Sequence, residues 1–269
     1  MPPTPDPSGR GPSGTELIPG RRAVLEVLRA GRPLRKILIR RHVRHAGTVQ
    51  EILQEARRQD VVVQFVDANR LDAMAPSSHH QGIVAMVAAK AVVTVDEILT
   101  GARARGEPPF VVVLDGVEDP ANLGAIIRTA EGAGAHGVII PKHRAAGLSP
   151  AVAKSSAGAL EYLPVAQVTN LTRTLEDLKA AGLWVVGADP MAKDHHFQTR
   201  LLPPLAIVMG GEGRGLSRLV REHCDFLVRL PMRGEIASLN VAVAAGVLLY
   251  EVVRQQEAAR REGAEIGTR

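Results

Sequence analysis

Cysteine is almost missing from this chain: Cys224 is the single one in 269 residues, so no internal disulfide can staple the fold and no paired-thiol redox chemistry is available. No Cys/His spacing matches a zinc site, and no metal is expected. The adjacent pairs His79-His80 and His195-His196 do not set both rings on one helical face and read as loop residues. Aromatics are scarce, with one Trp, two Tyr and four Phe, which argues against a surface that reads single strands chiefly by stacking bases on rings. No run approaches the roughly 18 uninterrupted apolar residues of a membrane span. The Pro-rich start, Met1 to Gly14, also lacks an apolar signal-peptide core. The expectation is a cytoplasmic protein with no membrane contact.

What is present suits a folded protein. Hydrophobic residues make up 45% and charged residues 23%, an ordinary globular balance, and the length allows two domains with real cores. The net charge of +5 is modest, but its distribution is uneven. From Arg21 to His45 stand Arg21, Arg22, Arg29, Arg32, Arg35, Lys36, Arg40, Arg41 and Arg44 against one acid, Glu26. Such a run is either a solvated Arg-rich face or a phosphate-binding surface. With few rings to stack bases on, phosphate contact and shape recognition are the RNA-binding modes left. Arg21, Arg22, Arg35, Lys36, Arg40, Arg41 and Arg44 are the candidate RNA-contacting residues.

Residues 1–14 carry five prolines and three glycines and read as a disordered tail. Residues 15–90 pattern as a small α/β module: helix Arg21 to Ala30, strand Lys36 to Arg40, helix Thr48 to Gln59, then strands Val61 to Val66 and Ile83 to Ala88. Residues 91–109 read as a linker, Pro/Gly-rich at its end. From 110 to 256 strands alternate with helices, ending in a helix from about Ser238 to Gln255, and 257–269 reads as a flexible tail. That alternation predicts an α/β domain: a mostly parallel sheet with helices on both faces and ligands at the carboxyl ends of the strands.

Several motifs fail on context. Gly132-Ala-Gly-Ala-His-Gly137 has the spacing of a dinucleotide fingerprint, yet it ends a helix and opens a strand, the reverse of the order that puts phosphate at a helix N-terminus. Gly210-Gly-Glu-Gly-Arg-Gly215 lacks the Gly-Lys-Ser/Thr ending of a P-loop, and Glu212 would repel a polyphosphate. No Gly-x-Ser-x-Gly elbow exists for a serine hydrolase.

Three segments survive, each at or just beyond a strand end: Asp115-Gly-Val-Glu-Asp-Pro-Ala-Asn122-Leu-Gly-Ala-Ile-Ile-Arg128, Leu205-Ala-Ile-Val-Met-Gly210-Gly-Glu212-Gly-Arg-Gly-Leu-Ser, and Leu230-Pro-Met-Arg-Gly-Glu-Ile-Ala-Ser238-Leu-Asn240-Val-Ala-Val-Ala-Ala-Gly246. Singly, each could be a cap, a surface charge or a loop. In this order and at this separation they resemble the three signature motifs of the SpoU/TrmH RNA ribose 2′-O-methyltransferases. The likeness covers about 110–256, and the basic module resembles the substrate-binding domain found in the rRNA branch. Within the family the likeness is to the branch that methylates a guanosine ribose of 23S rRNA.

The resemblance implies a C-terminal deep trefoil knot, S-adenosylmethionine as cofactor, RNA as partner and a homodimer. It makes Arg128, Asn122, Glu212, Ser238 and Asn240 the catalytic set and places Met209, Gly210, Gly211, Leu230, Met232, Ser238 and Leu239 at the cofactor. A guanidinium stays charged at ordinary pH, so the role implied for Arg128 is to stabilise the developing oxyanion and engage substrate phosphate. Glu212 is expected to hold Arg128 or a neighbouring backbone group. Alternatives are a tRNA ribose methyltransferase, an antibiotic-resistance enzyme acting on another rRNA nucleotide, or, from another class, a non-catalytic RNA-binding assembly factor.

Overall fold

The computed structural model describes residues 10–11, 15–43, 47–74, 80–88 and 92–266; Arg44, His79 and most of the Pro-rich start lie outside these. The chain forms two compact units, one comprising the chain up to Ala91 together with Gly147–Tyr162, the other Val92–Ala146 and everything from Leu163 on.

The first unit contains β1 (Arg10–Gly11), β2 (Thr15–Pro19), α1 (Arg21–Arg29), β3 (Leu34–Arg40), α2 (Thr48–Arg58), β4 (Val63–Val66), α3 (Ala68–Met74) and β5 (Ile83–Ala88). Its sheet runs β1-β2-β5-β3-β4, antiparallel except where β4 lies parallel to β3. α1 buries Val24, Val27 and Leu28 on one stripe, the 3.6-residue periodicity that the sequence shows. Arg10–Gly11 pairs with β2, so the strand order reaches into the span expected as tail. Two short helices from further along the chain, α6 (Pro150–Ser155) and α7 (Ala159–Tyr162), also belong to this unit.

Arg32 explains part of that attachment. Its guanidinium bonds Glu16 of β2 at 2.5 Å and Glu161 of α7 at 2.9 Å, with side-chain exposures of only 9%, 11% and 4%. A buried cation bracketed by two carboxylates satisfies donors that burial would otherwise leave unpaired. A single helix expected over Pro150 to Ala159 is therefore two helices, broken at Ala157 and Gly158, where φ turns positive (51° and 98°). A Cβ at Gly158 would collide with the Glu26 side chain, so the break brings backbone against α1 where only glycine fits.

The second unit contains α4 (Val95–Ala104), β6 (Phe110–Asp115), α5 (Pro120–Gly132), β7 (Gly137–Pro141), β8 (Val165–Val168), α8 (Leu171–Ala180), β9 (Trp184–Ala188), β10 (Asp194–His195), β11 (Leu205–Gly210), α9 (Arg218–Glu222), β12 (Phe226–Arg229) and α10 (Val241–Ile266). Its sheet, β10-β12-β9-β11-β6-β7-β8, is parallel at every pairing. The central strands are nearly continuous apolar runs, Phe110–Leu114 and Leu205–Met209 all buried, as expected of strands covered on both faces. Val111, Val113, Ala206 and Val208 pack with Ile98, Leu175, Leu178 and Val220 of α4, α8 and α9. The alternate residues point the other way, where α5 and α10 pack on each other and on β7 and β11.

The span expected as a linker contains α4, which enters this core through Ile98, Leu99 and Ala102. Its start is a capping box between Thr94 and Glu97, a Thr-x-x-Glu signature present in the sequence. The last helix begins later than expected and runs on past Gln255. Ala242 and Val243 donate their backbone N–H groups to Asn240 Oδ1 at 2.9 and 3.3 Å, so Asn240 stops the helix from extending back to Ser238. Beyond Gln255, Ala, Glu and Arg are strong helix formers.

Candidate active site

Since β9, β11 and β12 are adjacent and parallel, their carboxyl ends lie at one edge of the sheet, the position where α/β folds hold ligands. A cavity of 440 Å³ opens there, within the size range of small-molecule and cofactor pockets. Met209, Gly210, Gly211, Leu230, Met232, Ser238 and Leu239 all line it, as do Glu212 and Asn240. Every residue expected at the cofactor is therefore gathered round one opening, although they come from two segments about twenty positions apart. The glycines are sterically required. A Cβ at Gly210 would strike the Gly215 backbone, and one at Gly211 would strike the Gly116 carbonyl. Three stretches of main chain pass at van der Waals distance only because these positions lack side chains.

Side chains join the three surviving motifs. Asp119 caps α5 by accepting from Ala121 N at 3.0 Å, and with Pro120 at the first helical position it fixes Asn122 in the opening turn. Asn122 donates Nδ2–H to Glu212 Oε1, and its Oδ1 accepts from Asn240 Nδ2 at 3.0 Å. Because Asn240 Oδ1 is held by the first amides of α10, the relay runs from a helix N-terminus through two carboxamides to a carboxylate. Each amide has its donor and acceptor ends used consistently. Glu212 thus bonds Asn122.

Arg128 is placed differently. It lies six residues beyond Asn122 on α5, exposed, lines neither cavity of this unit and makes no ion pair among the described residues. Its neighbour Thr129 faces Gly246 of α10, so the guanidinium emerges beside the α5–α10 seam.

The cavity also recruits residues that the motifs did not single out: Asp189 and Pro190 past β9, Arg229 at the end of β12, and Ala237, Val241 and Ala244. Asp189 pairs with Arg221 at 2.8 Å and accepts from Met191 N at 2.7 Å, which shapes the rim. Its signal was available, since a residue just after a parallel strand is where such sites form. Arg229 has a buried Nε with no hydrogen-bond partner among the described residues. Cys224, by contrast, is no nucleophile: burial, aided by nearby Asp225, pushes its thiol up to about 12, so the reactive thiolate is suppressed.

The first unit keeps only part of its charge free. Arg41 lies 3.4 Å from Asp67, Arg21 Nε donates to the Gln81 carbonyl at 3.2 Å, and Lys36 donates to Gln64 at 3.3 Å. Arg35 has a partner as well. Arg22 and Arg40 are exposed and have no ion pair among the described residues. His80, read as a loop histidine, is buried between Asp72 (2.7 Å) and Gly82 N (3.0 Å). No helix among the described residues is long and apolar enough to cross a membrane, and none of their His, Cys, Asp and Glu side chains form a group of three suited to a metal ion.

Comparison with known proteins agrees with this architecture. Residues 109–250 match the SpoU rRNA methylase family, and 17–93 match the module described as RNA 2′-O ribose methyltransferase substrate binding. A Bacillus subtilis (strain 168) protein named as a TrmH-family tRNA/rRNA methyltransferase, YacO, is 46% identical over 241 residues, 90% of this chain and 96% of its own. Among solved structures, the SpoU methyltransferase AviRb of Streptomyces viridochromogenes in complex with the cofactor AdoMet is 31% identical with a TM-score of 0.75, covering 91% of this chain and 92% of its own. An RNA 2′-O ribose methyltransferase is 27% identical with a TM-score of 0.74, covering 90% and 89%.

Proposed function

This chain belongs to the SpoU rRNA methylase family, and from the site it builds we propose that it transfers the methyl group of S-adenosylmethionine to a ribose 2′-hydroxyl of RNA, with a guanosine of 23S rRNA as the target. The observation that carries this reading is the relay Asn240–Asn122–Glu212 at the mouth of a cavity walled by glycine backbone and by Met209, Leu230, Met232 and Leu239. The cavity fits the cofactor in kind: apolar side chains to flank a purine, and main chain brought close where Gly210 and Gly211 have no Cβ. The related AviRb structure holds AdoMet. When bound, the cofactor supplies an electrophilic methyl carbon on a positively charged sulfur.

The chain's own task is to orient a poor nucleophile and help it lose a proton. As the O–C bond forms and the C–S bond breaks, the hydroxyl proton must leave and negative charge gathers on oxygen. Arg128 stabilises that charge and binds the adjoining phosphate through its fork of N–H donors. Asn122, fixed by Asn240 and Glu212, presents its carboxamide at the cavity mouth, and Ser238 adds a hydroxyl on the cavity wall. The N-terminal module favours rRNA, since it matches a substrate-binding domain and leaves Arg22 and Arg40 exposed for phosphate.

The working form we propose is a homodimer with a knotted catalytic unit. Close passage of the turns at 116, 211 and 215 supports the threading. The outer face of α10 supports the pairing. Val241, Ala245, Leu248, Leu249 and Val252 are buried, but Val243 (54% exposed), Val247 (41%) and Tyr250 (53%) form a second apolar stripe that begins beside Leu239 at the cavity. Apolar residues at i, i+4 and i+7 on a solvent face mark a contact surface, and a second copy covering it would meet Arg128 at the seam. A protein that sediments as a monomer at micromolar concentration would remove the dimer. Labelled S-adenosylmethionine incubated with the protein and total rRNA tests the activity. Label at one mapped 2′-O-methylguanosine is expected; label confined to tRNA moves the target, and none at all removes the reading.

A further inference from the structure

The second unit holds another cavity that the relay and the cofactor site leave unused. It measures 700 Å³, lies at the carboxyl ends of β6, β7 and β8, and shares Gly211, Glu212 and Gly215 with the first cavity as a common wall. His143 and Arg144, just past β7, and Arg214, on the glycine-rich turn, line it. All three are exposed and form no ion pair among the described residues. Three carboxylates face the same space, but two are committed: Asp115 accepts from Ser217 N at 2.7 Å, and Glu212 accepts from Asn122. Only Glu118 remains against two guanidiniums. Pro141 and Leu219 give the cavity an apolar side, and Thr169 and Thr172 give it hydroxyls.

An open space with two uncommitted guanidiniums, one apolar side and a few hydroxyls has the chemistry of a nucleotide site. Guanidiniums grip phosphate by paired N–H donors, and the volume lies in the range of ligand pockets. Resting on the activity proposed above, we propose that this cavity seats a nucleotide adjoining the methylated one, its phosphodiester held between Arg144 and Arg214. The shared wall gives the reason: a strand crossing the 211–215 turn has consecutive nucleotides on its two sides, one at the methyl donor and the next here. In a protein with so few rings, the neighbour is gripped by its phosphate.

The test compares wild type, Arg144→Ala, Arg144→Lys and the double variant Arg144→Ala/Arg214→Ala, by RNA KM, the salt dependence of RNA affinity, and cofactor affinity by calorimetry. Arg144→Ala is expected to raise RNA KM about tenfold and the double variant about a hundredfold, the loss of one and two charged hydrogen-bonding groups. The double variant should flatten the plot of log affinity against log salt by about 1.4, roughly 0.7 per lost phosphate contact on a single strand. Arg144→Lys should recover part of the affinity, keeping charge without the fork. Cofactor affinity should stay within about twofold, since neither arginine lines the first cavity. A double variant with wild-type KM and salt slope overturns the proposal, as does an Arg144→Ala protein that loses cofactor and RNA together. Wild type that methylates no RNA at all removes the activity itself; a working wild type with indifferent variants removes only this site.

Discussion

In the N-terminal unit, Arg29 reaches Glu26 and Glu51, Arg32 is enclosed by Glu16 and Glu161, and Arg41 lies beside Asp67. Around the two cavities of the larger unit, Arg128, Arg144 and Arg214 have no such partners among the described residues. The basic run that dominates the sequence is thus largely answered by acids that are distant in sequence. The cations left available stand singly, in segments that look unremarkable for charge. A count of charges along a window measures composition, whereas the field a substrate meets depends on which charges the fold has already paired.

That contrast can be broken most sharply at Arg128. Arg128→Ala is expected to slow methyl transfer by about 10²- to 10³-fold, the usual loss on removing one oxyanion donor, while calorimetry shows near-normal cofactor affinity. Intact single-turnover rates would take this residue out of the chemistry. Asn122→Ala, which cuts the relay between Glu212 and Asn240, is expected to lower kcat about a hundredfold with little change in cofactor affinity, because displacement of a positioning group by about 1 Å has that effect. Rates within twofold of wild type would make the relay a mere packing device.

In the N-terminal unit the contrast predicts a split. Arg32→Ala leaves Glu16 and Glu161 buried and unpaired, a change of about 3–5 kcal/mol in stability, visible in denaturant unfolding as an early transition. Arg40→Ala should leave stability within about 0.5 kcal/mol and instead reduce the salt slope of RNA binding by about 0.7–1. If the two variants behaved alike, the division between paired and available cations would be wrong. The smallest effect concerns Glu251 on α10, whose carboxyl is held below the usual range chiefly by hydrogen bonding from Arg254, and also by Gln255. A depressed folded-state pKa gives stability that is present above the unfolded value near 4.5 and is lost as pH falls through the folded one. Glu251→Gln should therefore lower Tm by about 2–4 °C at pH 7 and by less at pH 3, a difference that thermal unfolding at the two pH values would measure.

Much of the larger unit was legible because its signals are local. The apolar runs at 110–114 and 205–209, the Asp119-Pro120 start of α5 and the order of the three motifs each depend on neighbours in the chain. The same holds for the residues gathered at the cofactor cavity, which lie next to strand ends. What escaped reading had signals of another kind. α4 was concealed by the Pro/Gly cluster after it, although Thr94 and Glu97 spell its cap. The departure of α6 and α7 to the N-terminal unit is fixed by Glu161 meeting Arg32, 129 positions away, and no periodicity records such a meeting.

By itself the sequence determined the parallel α/β unit, the places where its strands end and the residue types offered there, since helix and strand periodicity, caps and glycine positions act over a few residues. Only the tertiary structure decided which of those groups touch. It brought Asn122, Glu212 and Asn240 into one relay, buried Arg32 while leaving Arg40 and Arg144 open, and set two cavities on either side of one glycine turn. Hydrogen bonding, ion pairing and steric contact act through space, and their partners here are separated by about a hundred residues of chain.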